Sequence, residues 1–502
     1  MSASPSVGRL ACEQCHQLKQ KCTYSSPHAS CNRCARLGRQ CEPRRTPRRM
    51  GRPPVVRSSD GRHGTFSVLV ADQRPRRHAR PRDGSHGHGG VVQVWQPAHL
   101  GQPNPEHVGS SIVPRSPNDP KLKAPRYGQV ASFLHTAEGF YAVHRFFILS
   151  NSFSNQLRIA VRLSVEVAPL LLSDGYVAML AIFEWVRGPS NKLHDLAPAT
   201  ISLAARCLQR LSHAVSNIGD AREALAVSLM GIIMAIYNSM MYAFPGQSRS
   251  ITRASLLGIK PWFPALVAES DVQCLPLSLV QMDTSECLLR REVPIIRMHH
   301  TDRPIVDTYT GLALPLQPLL YDLCVVSYRC KMRGFRYASS GQRDPYADIE
   351  RSIRLWKPCM PPELRDRFSE DETTRLMGQA RLFRLAALLI IHRLRYPLGV
   401  EDEAAQALAD EILDKLRPFT MVPLHEATGL CLDLPVLVAM IERMEEGIAM
   451  YKAFNPIRFR LEQDEKALCD FPRFLREEKE AGSQKLWFDA VDSTRFPATF
   501  IA

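Results

Sequence analysis

Residues 9–42 read RLACEQCHQLKQKCTYSSPHASCNRCARLGRQCE, and six cysteines divide the stretch into two copies of one ruler. Cys12, Cys15 and Cys22 are spaced C-x2-C-x6-C, and Cys31, Cys34 and Cys41 repeat that spacing 19 residues on. A C-x2-C pair brings two thiolates to one metal ion, and the third cysteine, seven residues further, can return to it. Three sulfurs per half are one short of the four that structural zinc takes. Two ions both reach four-coordination if two sulfurs are shared. Six thiolates around two Zn2+ ions per chain is therefore the arithmetic solution.

The competing reading is a disulfide framework, which six cysteines can form in fifteen ways and which belongs to small secreted domains. The opening MSASPSVGRL has no apolar core of a secretion signal. None of the nine asparagines stands in an N-x-S/T sequon. The other eight cysteines (Cys207, Cys274, Cys287, Cys324, Cys330, Cys359, Cys431 and Cys469) are scattered among apolar runs, as reduced buried thiols are. Zinc is the better expectation.

On these residues, Arg9 to Glu42 resembles the fungal Zn2Cys6 binuclear-cluster DNA-binding domain. The resemblance implies two short metal-bound helices, with Cys12 and Cys31 bridging the ions. One ion would hold Cys12, Cys15, Cys22 and Cys31; the other would hold Cys31, Cys34, Cys41 and Cys12. One departure is visible. Pro27 stands four residues before Cys31, where the family usually has a proline immediately before its fourth cysteine.

The residues between the ligands separate the two halves. A short helix after Cys15 would present Lys19 and Lys21, whereas the positions 19 residues later are Gly38 and Gln40. Lys19 and Lys21 are thus expected to reach guanine O6 and N7 in the major groove. His16, Arg33, Arg36 and Arg39 are expected beside phosphates, which orient a module without specifying sequence. The resemblance adds that the lysine three before the third cysteine is the usual base reader, and CGG-type triplets the usual target. Plain solvation is the alternative for both lysines, and Leu18 belongs under the cluster.

Charge supports the same end of the chain. The whole carries +14, yet residues 1–126 hold 22 Lys+Arg against 7 Asp+Glu, and the rest 42 against 43. Such asymmetry is the footprint of a nucleic-acid-binding end. Residues 43–127 are rich in Arg, Pro, Gly and His without apolar periodicity, and read as a disordered basic linker. Arg44 and Arg45, with Arg48, Arg49 and Arg52, suit nuclear import, phosphate contact, or a solvated tether. No a/d heptads follow Cys41. That leaves a monomer, or a homodimer formed through the helical region.

Residues 128–502 read as an all-α regulatory region, long enough for a sizeable core. Ile201, Leu203, Ala204, Ala205, Leu208 and Leu211 recur at helical spacing; so do Leu376, Met377, Ala380, Phe383, Ala387 and Ile390/Ile391. Ser369 with Glu372 is a capping box. Ala226 to Phe244 is uncharged over 19 residues and reaches a membrane-spanning length, but its serines, asparagine and tyrosines favour a core helix and no membrane partner. The run Leu316–Gly334 resembles the helical domains of fungal regulators, particularly of secondary-metabolite gene clusters, where such regions restrain activity or receive metabolites.

No GxSxG, P-loop, GxGxxG or HExxH motif is present, and His299-His300 near Asp302 and Asp307 reads as a polar loop; the chain is not expected to be an enzyme. The tail Lys485–Ala502 (KLWFDAVDSTRFPATFIA) mixes acidic and aromatic residues, as activation segments do, or as a final packed helix would. The expectation is a nuclear, sequence-specific transcription factor binding double-stranded promoter DNA and contacting transcription machinery, an activator of a metabolic pathway or gene cluster. The alternative is a zinc-stabilised interaction scaffold with non-specific nucleic-acid binding.

Overall fold

The structure is a computed structural model, describing residues 30–38, 41, 127–187, 198–240, 247–299, 305–334, 343–422, 428–429, 431–454, 462–491 and 496. The chain divides into two compact units, residues 1–71 and residues 72–502. The first contributes α1 (Asn32–Arg36). The other expected metal-bound helix, after Cys15, lies outside the described residues, as do residues 43–126 of the expected linker.

The second unit begins with α2 (Tyr127–His135) and α3 (Ala137–His144), one residue before the expected start of the helical region. Next come α4 (Ser154–Val167), α5 (Pro169–Arg187), α6 (Pro198–Val215), α7 (Ala221–Met240), α8 (Gln247–Ile259), α9 (Phe263–Ala268) and α10 (Cys274–Arg290). Then follow α11 (Gln317–Arg333), α12 (Ala347–Leu355), α13 (Glu370–Arg395), α14 (Asp402–Thr420), α15 (Asp433–Glu442), α16 (Met444–Ala453) and α17 (Glu462–Glu480). Among the described residues there is no strand; an isolated bridge joins Asp307 and Gly311.

Helix α7 explains the uncharged run. Every residue from Ala224 to Met240 is buried, so the helix has no polar face to give to water. It packs against α4, α5, α6, α8 and α10. Gly231 permits the close approach of α8, since a Cβ there would lie 2.4 Å from Ser255 Oγ. Two of its polar side chains bond back along the helix: Ser228 Oγ donates to Ala224 O at 2.8 Å and Asn238 Nδ2 to Met234 O at 2.8 Å. This is the one described helix long and apolar enough to cross a membrane, and it lies inside the helical domain.

The periodic stripes are only partly the core. On α6, Leu203, Ala204 and Leu211 are buried, while Ile201 and Ala205 face solvent. On α13 the expected face is buried or nearly so, but so are Leu382, Leu385, Ala386, Leu388 and Leu389. From Leu385 to Ile391 the helix is surrounded, with α14 and α15 among its neighbours.

Three polar clusters pin these layers. The expected capping box forms: Ser369 Oγ accepts from Glu372 N at 3.2 Å, and Glu372 Oε2 from Ser369 N at 3.0 Å. The same carboxylate accepts Ser152 N at 3.2 Å, Ser152 Oγ at 2.8 Å and Ser150 Oγ, so it also closes the turn before α4. Burial disfavours its charge, but the bonds from Ser150, Ser369 and Ser152 outweigh that and hold its pKa below the ordinary value. Between α8 and α10, Arg253 Nη1 donates to Asp283 Oδ1 at 2.7 Å, and Asp283 Oδ2 accepts Ile295 N at 2.7 Å.

The third cluster centres on Arg393, whose side chain is 1% exposed. Its Nε and Nη2 fork onto Glu442 at 2.7 and 2.6 Å, and Nη2 also reaches Asp402 Oδ1 at 2.7 Å. Nη1 donates to the carbonyls of Pro397 (3.1 Å) and Val400 (3.0 Å). Five donors meet five acceptors, which is what makes a buried guanidinium tolerable. Asp402 Oδ2 takes Lys479 Nζ at 3.0 Å, so one charge network ties α13, α14, α15 and α17.

Candidate metal centre

The described part of the N-terminal unit is a short helix hung on sulfur. Cys31 is the N-cap of α1, in extended backbone, and its Sγ accepts from Cys34 N at 3.4 Å. Its own N–H donates to Cys41 Sγ at 3.2 Å. The helix closes with Ala35 N on Cys31 O and Leu37 N on Arg33 O, both at 3.0 Å. Gly38 then takes φ 58, the left-handed conformation that a Cβ disfavours, and turns the chain back so that Cys41 returns to the start. Cys31 and Cys41, ten positions apart, are thereby brought together.

The outcome is chemical convergence. The Sγ atoms of Cys31, Cys34 and Cys41 all lie within 4.8 Å of one another, with Cys31 and Cys34 buried. Zinc bound tetrahedrally at about 2.3 Å per sulfur needs sulfurs roughly 4 Å apart, which this spacing fits. Two backbone N–H groups already point at sulfur, as second-shell donors do around thiolates. Among the described residues no disulfide joins two cysteines. Bound there, zinc would supply a cross-link that fixes α1 and its loop, and no redox chemistry.

The other expected site residues divide as follows. Arg36 is exposed on α1 and Arg33 half-buried, both in its last turn. Cys12, Cys15, Cys22, His16, Lys19, Lys21, Arg39, Arg44 and Arg45 lie outside the described residues. Gly38, the counterpart of Lys19, is here a helix terminator. In the body, Asp307 lies in the connection between α10 and α11 but is buried, and its Oδ2 accepts Tyr309 N and Thr310 N, both at 2.9 Å. His299 is exposed, and His300 and Asp302 are outside the described residues. Burial raises the thiol pKa of Cys207 to about 11 and pushes Cys274, Cys287, Cys324 and Cys431 up as well, which keeps them protonated and unreactive. Cys359 differs from the expectation for body cysteines, being exposed.

A thiolate-organised module followed by an all-helical body is the class of arrangement the sequence and structure define. Comparison with protein families agrees on both parts. The fungal Zn(2)-Cys(6) binuclear cluster domain matches residues 10–50, and the fungal specific transcription factor domain matches residues 272–442. The two matches are consistent with a fungal Zn2Cys6 transcription factor, and a cluster domain of this kind binds two zinc ions. The second match runs from just before α10 to the end of α15 and contains Arg393 with its partners Asp402 and Glu442, but not Lys479. Neither the curated proteins nor the solved structures give a match to the chain.

Proposed function

We propose that this protein works in the nucleus as a sequence-specific activator of a metabolic pathway or secondary-metabolite gene cluster, reading CGG-type triplets of promoter DNA. Cys12, Cys15, Cys22, Cys31, Cys34 and Cys41 hold the two ions, with Cys12 and Cys31 shared. Lys19 and Lys21 read guanines in the major groove, while His16, Arg33, Arg36, Arg39, Arg44 and Arg45 contact phosphates. The module is residues 9–42, the tether 43–127, and residues 128–502 regulate it and offer the surface for a homodimer or for transcription machinery.

The observation that carries this reading is the convergence of Cys31, Cys34 and Cys41 at the basic end of the chain. A metal-built turn places a few basic side chains in fixed positions, and fixed donors are what base discrimination requires. Excess positive charge alone would bind any duplex.

Gel-shift competition between CGG-containing and scrambled duplexes at several salt concentrations tests it. Lys19→Ala should lose about 1–3 kcal/mol on the preferred site and relax the preference for its guanine. Equal weakening on every duplex would instead leave a zinc-stabilised scaffold with non-specific nucleic-acid binding.

A further inference from the structure

In the connection between α10 and α11, Asp307 sits where distant segments of the body meet. Gly311 N donates to Asp307 O at 2.9 Å and Asp307 N to Gly311 O at 3.2 Å, and Asp307, Thr308 and Thr310 in the turn between are all buried. Before α4, Leu149 N donates to Thr308 O at 3.1 Å, while Leu149 O accepts Thr428 Oγ1 at 3.0 Å. From α13, Gln379 Nε2 donates to Tyr309 O at 3.1 Å. Two glycines allow the approach: a Cβ on Gly311 would lie 2.9 Å from Leu149 Cδ1, and one on Gly429 would lie 2.1 Å from Phe146 O.

The carboxyl of Asp307 is bonded through one oxygen. Its Oδ2 accepts Tyr309 N and Thr310 N, both at 2.9 Å, and Thr310 Oγ1 at 3.0 Å. Oδ1 is buried without a hydrogen-bond partner. So is Gln379 Oε1, which borders the same turn, 3.0 Å from the place of a Gly311 Cβ. Among the described residues no basic side chain pairs with Asp307, whereas Asp283, Glu286 and Glu442 in the same body each have an arginine.

The titratable groups around it bring no positive charge. Cys274 at the start of α10, Cys431 before α15 and Tyr309 are themselves pushed up by burial and stay neutral. Beyond them, Asp433 acts on Cys431 and Arg367 on Cys274. An unpaired carboxylate in an apolar interior is too costly to keep ionised, and it escapes by retaining its proton. Retention also turns Oδ1 from an empty acceptor into a donor, which is what a bare acceptor such as Gln379 Oε1 lacks. Burial outweighs the N–H bonds to Oδ2 and holds this carboxyl above the ordinary aspartate range.

We infer that Asp307 keeps its proton in the folded body and that this proton is a latch. With it in place, the turn, α13 and the Thr428–Gly429 segment stay closed on one another. Its loss in alkali sets a bare charge among them and loosens the meeting point. The latch belongs to the body alone and goes beyond the reading of the chain as a DNA-binding activator.

The test compares the full chain with Asp307→Asn, which keeps the shape and a donor and has no proton to lose. Asp307→Ser, which retains an oxygen for the turn, takes its place should Asp307→Asn not fold. At about pH 6, where an unfolded aspartate is ionised, refolding of the wild type should take up about one proton more than refolding of the variant. The folded pKa lies above the ordinary 3.8, so the stabilisation by Asp307 is complete below that value and is lost as pH rises through the folded pKa. The urea midpoint of the wild type relative to the variant should therefore fall as pH is raised. Leu149, Gly311 and Gly429 each donate a backbone N–H at this meeting point, so their hydrogen exchange reports the latch. Corrected for intrinsic rate, their protection should drop severalfold between about pH 6 and about pH 9 in the wild type and hold in the variant. Equal proton uptake, a midpoint gap independent of pH, or protection that falls alike in both proteins would each overturn the proposal.

Discussion

Arg393 shows how one residue can be costly to bury and costlier to disturb. Its neighbours Ile390, Ile391 and Leu394 are buried with it, so the guanidinium depends wholly on Glu442, Asp402 and the carbonyls of Pro397 and Val400. Burial works against its charge, and the hydrogen bonds and charges of Glu442 and Asp402 more than offset this and raise its pKa. Removing one member strands the others. Glu442→Leu should destabilise the body by about 3–5 kcal/mol, read as a lower urea midpoint. Replacing Arg393 and Glu442 together by Met and Leu should recover much of that loss, because both charges then leave the interior. Sequence gives little hint of this group. An arginine in a helical run of apolar residues has the pattern of a solvated stripe, and its partner Glu442 is 49 residues away.

Helix α13 carries the element-scale lesson, because its start was legible and its surroundings were not. The spacing of Ser369 and Glu372 is a local signal, and the box forms as expected. That Glu372 also accepts from Ser150 and Ser152, some 220 residues earlier, is written nowhere in the local pattern. Ser369→Ala should cost about 1 kcal/mol. Glu372→Gln should cost more, with a defined pH dependence. The folded pKa of Glu372 is held below the ordinary 4.5, so its stabilisation is present above that value and is lost as pH falls through the folded pKa. The stability gap between wild type and Glu372→Gln should therefore be widest above pH 4.5 and narrow in acid, as denaturant titrations at stepped pH would record. The stripe pattern of α13 fails over Leu385–Ile391 for a related reason. A helix enclosed on all sides is selected for apolar residues all round, and periodicity no longer marks a face.

For the whole molecule, the two units draw their stability from different sources. The described thiols near α1 have little apolar mass around them, and metal binding supplies on the order of 10 kcal/mol of folding energy per structural site. The body has a continuous core running from Val130 to Phe496. Chelation should accordingly abolish DNA binding and release two zinc ions per chain, while leaving the thermal transition of the body within about 1 °C of its original position. A matched fall in both would show that the body, too, depends on metal. The cluster was legible because cysteine spacing encodes a ligand set directly. The body was legible as helical but not as a set of partners, because its long-range charge pairs leave no periodic trace.

The position of α7 has a consequence for how the chain is made. Leaving the ribosome, Ala221–Met240 emerges about 50 residues before the end of α10, one of the helices that cover it. At about 5–20 residues per second, a greasy rod, uncharged from Ala224 onward, is exposed for some seconds, resembling a signal anchor to any factor that inspects nascent polypeptides. Holdase chaperones must compete for it during that interval, and expression boundaries drawn between Met240 and Arg290 would leave it permanently uncovered.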